Sequence, residues 1–317
     1  MMSLFAIVLQ SVLALIGIGV LGFWILRREI IPEHVIVFLS RLAIDIAVPC
    51  VVFAGIVVNF NPRKMADWWQ LPLWWFAFQA IVFVLTFFGM FVSKKSTRSE
   101  FGLSLFFQNG LFFPLIIISG LFGAGSPYVV QLFIFGIFHP ILFFSTASLF
   151  FRAKERTQRL DMARIINPVL VSTVLALTVR LMGFDSYLPR FLVTMFTILG
   201  NMTLPLLMII LGGSLYVDFQ KKGAIYWNEL LKFVLVKNFL FPLVWIGLLV
   251  LIHPSYDIAL ILLLQAAVPP ITGTAIQAER AGGNASISNQ FILASFAASV
   301  VSIPLAFTLF SRFFPLP

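Results

Sequence analysis

Two short stretches carry the polar residues able to do chemistry in this chain. Residues 265–284 read QAAVPPITGTAIQAERAGGN, and residues 106–115 read FFQNGLFFPL. Each sets side-chain amides beside prolines in an otherwise apolar run: Asn109 and Gly110 ahead of Pro114, and Gln265 ahead of Pro269 and Pro270, with Thr272, Gly273, Thr274 and Gln277 following. Two successive prolines remove two backbone donors and clash with the preceding turn, so a helix entering them must stop. Its freed carbonyls then need protein, water or a solute as partners. A helix that resumes beyond such a break opens with unpaired N–H groups and about half a positive charge, which suits a carboxylate. The helix that ends before it presents carbonyls, which suit a cation or a donor side chain. The chemistry on offer is non-covalent recognition of a small anion. Asn109 and Gln265 either donate to that anion or cap the loose backbone, and Gly273 and Gln277 share a helix face that would line its path.

Ionisable groups inside apolar runs form the second set, because burial makes them costly unless paired or wet. Asp45 follows Arg41 at the spacing that puts both on one helix face, so an internal ion pair is expected, with a protonatable coupling carboxylate as the alternative. Lys237 lies about 10 Å into its helix from Leu230 and could snorkel to the surface or act as a charge partner for the broken region. His139, ahead of Pro140, reads as a satisfied core histidine, with a proton carrier as the alternative. Asn201, Ser288 and Asn289 are candidate polar partners, and Glu279 and Arg280 read as solvated. No phosphate-binding loop, zinc motif or nucleophile elbow is present, so no enzyme, cofactor or metal is expected. The single cysteine, Cys50, has no partner for an intramolecular disulfide.

The elements that position these residues must lie in a lipid bilayer. Hydrophobic residues make up 61% of the 317, charged residues only 10%, and mean hydropathy is +1.04, values that exclude a soluble domain. Ten spans are predicted, at 4–26, 34–58, 71–92, 101–122, 128–151, 166–183, 189–215, 230–252, 256–280 and 287–310. The first is too long for a cleaved leader and reads as permanent. The net charge of +9 sits in short joints rather than on an aromatic and basic surface, which argues for topology and against a nucleic-acid partner. Arg27, Arg28, Lys94, Lys95, Arg98, Arg152, Lys154, Arg156, Arg159, Arg164, Lys221, Lys222 and Arg280 fall in odd joints. The even joints hold Arg63, Lys64 and Arg190, with Arg180 nearby. This bias places the odd joints in the cytoplasm and both termini outside a bacterial inner membrane.

The joint 152–165 divides the chain into 1–151 and 166–317, each with an odd number of spans, which is the arithmetic of an inverted repeat. Span two around Pro49 aligns with span seven around Pro205, setting Asp45 against Asn201. Span four around Pro114 aligns with span nine around Pro270, setting Asn109 against Gln265. That alignment predicts that Pro114 and Pro270 meet near the middle of the membrane.

LAIDIAVPCVVFAGI, FFQNGLFFPL, NMTLPLLMIILGGSL, LKFVLVKNFLFP and AAVPPITGTAIQAERAGGNASISNQFILASFAASVVSIPL occur in this order along nearly the whole chain. Together they resemble the auxin efflux carrier family, whose bacterial members are similar to the plant auxin exporters. The resemblance implies an all-α membrane protein of ten helices in two inverted five-helix repeats, with broken helices four and nine crossing. It further implies a transport domain from spans three to five and eight to ten, and a scaffold from spans one, two, six and seven that would form a homodimer. The implied activity is secondary, elevator-type transport of organic anions; a small carboxylate such as malate, malonate or an auxin-like acid is the expected substrate, with H+ or Na+ as the expected coupling ion. Bulky Leu111, Phe112 and Phe113 replace a glycine-rich run common in the family. A sodium-coupled carrier of the bile-acid symporter type and a non-transporting membrane sensor are the alternative expectations.

Overall fold

Long apolar runs with no water to bond must satisfy their backbone internally, and among the described residues the chain does so almost entirely as helix. The computed structural model describes residues 4–63, 65–123, 125–151, 168–220 and 225–316. The basic joint 152–165, with Arg152, Lys154, Arg156, Arg159 and Arg164, and the residues Lys64, Lys221 and Lys222 lie outside them.

In chain order the helices are α1 (Leu4–Arg27), α2 (Glu33–Leu42), α3 (Val48–Asn59), α4 (Leu71–Gly89), α5 (Arg98–Phe106), α6 (Phe112–Phe122), α7 (Pro127–Phe135) and α8 (His139–Thr146). There follow α9 (Pro168–Leu181), α10 (Arg190–Asn201), α11 (Thr203–Gln220), α12 (Trp227–Val234), α13 (Phe241–Ile252), α14 (Tyr256–Ala267), α15 (Gly273–Arg280) and α16 (Ala285–Phe310). Seven continuous or near-continuous segments are long and apolar enough to cross a membrane: Val8–Arg27, Glu33–Asn59, Trp68–Gly89, Pro127–Phe150, Arg190–Val217, Trp227–Ile252 and Ala285–Phe310. The regions expected as spans four, six and nine instead contain the shorter apolar helices Phe112–Phe122, Pro168–Leu181 and Tyr256–Ala267.

Two helices are continuous but locally underwound. A π-helical turn, Ala43–Ala47, joins α2 to α3, and a second, Leu235–Leu240, joins α12 to α13. Each precedes a proline, Pro49 or Pro242, whose ring would clash with the carbonyl four residues back, at Asp45 or Asn238. Inserting one residue into the turn relieves that clash, and such bulges recur at functional positions.

Helix seams of two kinds hold the bundle. Between α1 and α11 the backbones touch: a Cβ on Gly212 would overlap the Gly19 carbonyl, and one on Gly22 would overlap the Ile209 carbonyl. Gly200 of α10 likewise lies against α3, where a Cβ would stand 2.7 Å from Val51 Cα. Small residues permit this approach, and dispersion then replaces the hydrophobic driving force absent in lipid.

Elsewhere the seams are polar. The carboxylate of Glu229, 1% exposed, accepts from Ser93 Oγ (2.8 Å), Thr97 Oγ1 (3.1 Å), the Lys94 amide (3.1 Å) and Lys232 Nζ (2.9 Å). It thus ties the joint after α4 to the start of α12. Glu100 of α5 accepts from the Asn284 amide at 2.8 Å, while the Asn284 side chain caps α16. Ser172 Oγ donates to the Pro49 carbonyl (2.6 Å) and Arg180 Nε to the Phe60 carbonyl (2.7 Å), joining α9 to α3.

Gly212→Val should lower stability by about 1–3 kcal/mol through backbone separation at α1 and α11. Gly247→Ala should leave the melting midpoint unchanged or raised, because a Cβ there meets nothing within 4 Å. Thermal unfolding of the two purified variants in one detergent checks both.

Candidate functional site

The stop in the helix at Pro269 and Pro270 is matched by a second stop at 107–111, and the two breaks pair with each other. Asn109 N donates to the Pro269 carbonyl (2.8 Å) and Ile271 N donates to the Phe107 carbonyl (3.0 Å), forming one antiparallel bridge with Gln108 opposite Pro270. Gln108 and Pro270 therefore occupy a position whose own N–H and C=O the bridge does not use. A proline stands there without forfeiting a bond.

This pairing corrects the expected register. Pro270 meets Gln108, whereas Pro114 lies in the first turn of α6, beyond the bridge. Proline is tolerated in a first helical turn because its missing donor would be unpaired anyway, so Pro114 marks the restart of the helix rather than the break.

The two candidate amides have different tasks. Gln265 Nε2 donates to the Gly110 carbonyl (2.6 Å), and Gln265 Oε1 accepts from Gln108 Nε2 (3.2 Å). Gln265 is a cap, and it needs Gly110, where a Cβ would overlap its Oε1. Asn109 contributes its backbone to the bridge, but its side-chain Oδ1 is buried with no partner among the described residues. Thr274 also caps, donating its hydroxyl to the Ile271 carbonyl at 2.9 Å.

Beyond the bridge, α6 and α15 restart. The amides of Leu111, Phe112 and Phe113 on one side, and of Thr272 and Gly273 on the other, have no acceptor among the described residues. These ends border a cavity of about 1360 Å³. Its walls include Asn109, Gly110, Gln265, Thr272, Gly273 and Gln277 from the crossing, and Asp45, His139 and Asn289 from neighbouring helices. Glu33, His34, Glu279 and Arg280 stand at its exposed mouth. Pro114, Pro269, Pro270, Thr274, Asn201 and Lys237 are not among the lining residues.

Several ionisable and polar groups differ from expectation. Arg41 and Asp45 do not pair; both are exposed and both line the cavity. The π-helical turn accounts for this, since i and i+4 side chains no longer stack once the turn is widened. His139 is not satisfied: its Nε2 is buried without a partner, and its ring stands edge-on to Trp75 and Phe107 at centroid distances of 6.4 Å and 6.3 Å. Lys237 does not snorkel and is 1% exposed, with Nζ 5.1 Å from the Phe241 ring centroid. Asn201 ends α10 in an exposed position away from the crossing, and Ser288 Oγ bonds nothing in the described residues.

Gln108 and Trp75 were not singled out from sequence. Gln108 adjoins Asn109 and so was visible beside the break, but only pairing across the crossing gives it a role. Trp75 lines the cavity with an unpartnered indole Nε1, and no local pattern distinguishes it from other tryptophans of the chain. The assembled site offers unpaired helix-end amides for a carboxylate, with the Asn109 side chain beside them and aromatic rings flanking.

Comparison with known proteins identifies a membrane transport protein. A family profile described as membrane transport protein matches residues 7–160 and 152–307. An uncharacterized transporter of Methanocaldococcus jannaschii is 26% identical over 236 residues, covering 72% of this chain and 73% of the relative.

The division of labour at the crossing is measurable. Gln265→Leu should destabilise by about 1–3 kcal/mol, because the Gly110 carbonyl and the Gln108 amide are left unpaired in a buried place. Asn109→Ala should leave the melting midpoint within a degree or two of wild type. Parallel thermal melts of the two variants distinguish cap from free group.

Proposed function

The chain belongs to the auxin efflux carrier family of membrane transport proteins, and from that premise we propose that it is a secondary transporter of a small organic anion. The observation that carries the reading is the pair of restarted helices, whose unpaired amides and the Asn109 side chain border one large cavity. A carboxylate seated there would accept from the ends of α6 and α15 and gain from both helix dipoles without an arginine. Membership of a transporter family also argues against an enzyme. With no nucleotide-binding loop in the sequence, the energy comes from an ion gradient or from the substrate's own gradient.

We read the ten-span, two-repeat arrangement as the frame for this activity. Spans three to five and eight to ten would move as a transport domain against a scaffold of spans one, two, six and seven. Hydrogen bonding supports the division. The contacts Ser93–Glu229, Glu100–Asn284, Gln108–Gln265, Gln131–Asp257 and Asn238–Ser295 all lie within the first group, and Ser172–Pro49 and Arg180–Phe60 lie within the second. Between the groups, α1 packs on α16 and α3 on α7, through apolar faces such as Gly55 against Phe133. Dispersion contacts without fixed hydrogen bonds can slide at little cost, which suits an elevator-type movement.

The basic residues Arg27, Arg28, Lys94, Lys95 and Arg280 would place the cavity mouth on the cytoplasmic side of a bacterial inner membrane, with both termini outside. The exposed apolar face of α10, carrying Phe191, Met195 and Ile198, is where a scaffold-mediated homodimer would form.

Proteoliposomes containing the purified chain should accumulate at least one labelled acid from a panel of malonate, malate and indole-3-acetate when a pH or sodium gradient is imposed. Asn109→Ala should reduce that uptake about tenfold or more, as expected for loss of a hydrogen bond to a charged group. Failure of any acid to move under any gradient would overturn the reading.

A further inference from the structure

Lys237 is a buried amine that the anion site does not touch, and its place in the fold gives it a task. We propose that Lys237 is a proton-binding group linked to the anion at the crossing: its amine takes up a proton when a carboxylate seats on α6 and α15, and releases it when the carboxylate leaves. The proposal rests on the transporter reading above.

Three observations place Lys237 at the level of the crossing and facing inward. First, α13 and α14 form an antiparallel hairpin closed at His253, whose φ is 50°. Counted back from that turn, Lys237 lies about one helical turn beyond the level at which α14 ends at Ala267. Second, a Cβ on Gly89 would stand 2.9 Å from Leu105 Cδ1 and 3.5 Å from Val236 Cγ1. Val236 is thus level with the last turn of α5, beside the break that begins at Phe107. Third, the neighbours of Lys237 fix its direction. Val236 faces α4, Asn238 faces α16 through Ser295 Oγ (2.8 Å) and the Ser295 carbonyl (3.0 Å), and Leu235 and Leu240 are exposed. Between the first two directions, Lys237 points into the group of helices that carries the crossing.

The packed helices offer polar but uncharged groups near that level. On α4, Gln79 and Thr86 are buried with unpartnered side-chain atoms, and on α5 so is Ser104 Oγ. The contacts Gly89–Val236 and Phe78–Trp245 run antiparallel, so Thr86 falls at the level of Lys237 and Gln79 about two turns farther along. The titratable groups of the packed elements lie elsewhere. Glu229 and Lys232 bond each other on α12, Arg98 and Glu100 sit at the far end of α5, and Tyr256 and Asp257 sit at the far end of α14. Helix α13 carries no titratable residue, and α16 carries none. Among the described residues no carboxylate forms an ion pair with Lys237.

A lysine so placed is unstable as a permanent cation, since a buried charge without a counter-charge is strongly disfavoured. The first half-helices α5 and α14 end at this level with their partial negative charge, which favours a cation only weakly. A carboxylate arriving on the other side of the crossing supplies a full negative charge across a medium of low dielectric, where Coulomb coupling is long-ranged. The step balances simply. A hydronium ion of the bulk solvent gives its proton to the Nζ lone pair and is left as water, one N–H bond forms, and the bound anion and the new ammonium sum to zero charge. Thr86 and Ser104 offer hydroxyl groups that can solvate the amine in either state. Anion and proton would therefore load and unload together.

The test measures protons taken up per anion bound, using the purified full-length chain in weakly buffered detergent with a pH-indicating dye. Malonate and indole-3-acetate serve as the probes. Wild type should take up as much as one proton per anion. Lys237→Met should bind the anion about tenfold more weakly, equivalent to one 1.4 kcal/mol step in binding free energy, and take up none. Lys237→Arg, which stays protonated, should bind without proton uptake and so guards against misfolding of the methionine variant. Unchanged uptake in both variants would overturn the proposal, as would anion binding by wild type without any proton. If neither acid nor any other of the panel binds wild type, the transporter reading itself fails and this inference falls with it.

Discussion

A backbone that stops being helical inside lipid must find partners for its amides and carbonyls, and here two such stops supply each other. The Phe107 and Pro269 carbonyls and the Asn109 and Ile271 amides form the whole exchange. Pro270, which has no donor to give, sits opposite Gln108 at the position where none is needed. Gln265 then satisfies the next carbonyl, that of Gly110, and leaves no room for a side chain there. Were either break moved by a residue, the donor-free prolines would fall where the other chain needs an N–H. The economy of this exchange also explains why the second halves restart with amides to spare: the bridge uses up one donor from each side and no more.

The remaining helices keep that crossing in place while leaving one side of it open. Buried carboxylates bind the ends of the group that carries it, Glu229 holding the joint after α4 and Glu100 holding the turn before α16. Because each accepts from backbone or hydroxyl donors as well as or instead of a cation, these clamps survive without bulk solvent. The other group is held by glycine contacts at Gly19, Gly22, Gly200 and Gly212, which fix backbone separation instead of charge. The cavity lies where the two meet, and both π-helical turns adjoin it or the crossing, carrying Asp45 on one side and Lys237 on the other. Proline-driven bulges thus redirect the two ionisable side chains that an ideal helix would have stacked on a neighbour or sent to the surface.

Much of this was legible in the chain because it depends on local properties. Apolar length, the proline pair at Pro269 and Pro270, and the amides beside them are enough to locate both breaks, where Asn109, Gln265 and Thr272 come to line the cavity. Register was not legible. Apolar sequence gives few marks, and a proline is as acceptable in the first turn of α6 as in a break, so Pro114 aligned with Pro270 although Gln108 is what meets it. The Arg41 and Asp45 pair failed for a related reason, since the i, i+4 rule assumes a turn that Pro49 does not permit.

By itself, then, the sequence determined that the chain lives in a bilayer, where its helices must stop, and which residue types stand at the stops, because hydrophobicity and missing backbone donors are carried by single residues. Only the tertiary structure decided which of two similar amides is used up. Gln265 is spent on a carbonyl from another helix and Asn109 is left free, a difference that arises from which backbone lies within reach. It decided likewise that Lys237 is buried and unpaired and that Asp45 faces the cavity, since burial and pairing are properties of neighbours brought from distant parts of the chain.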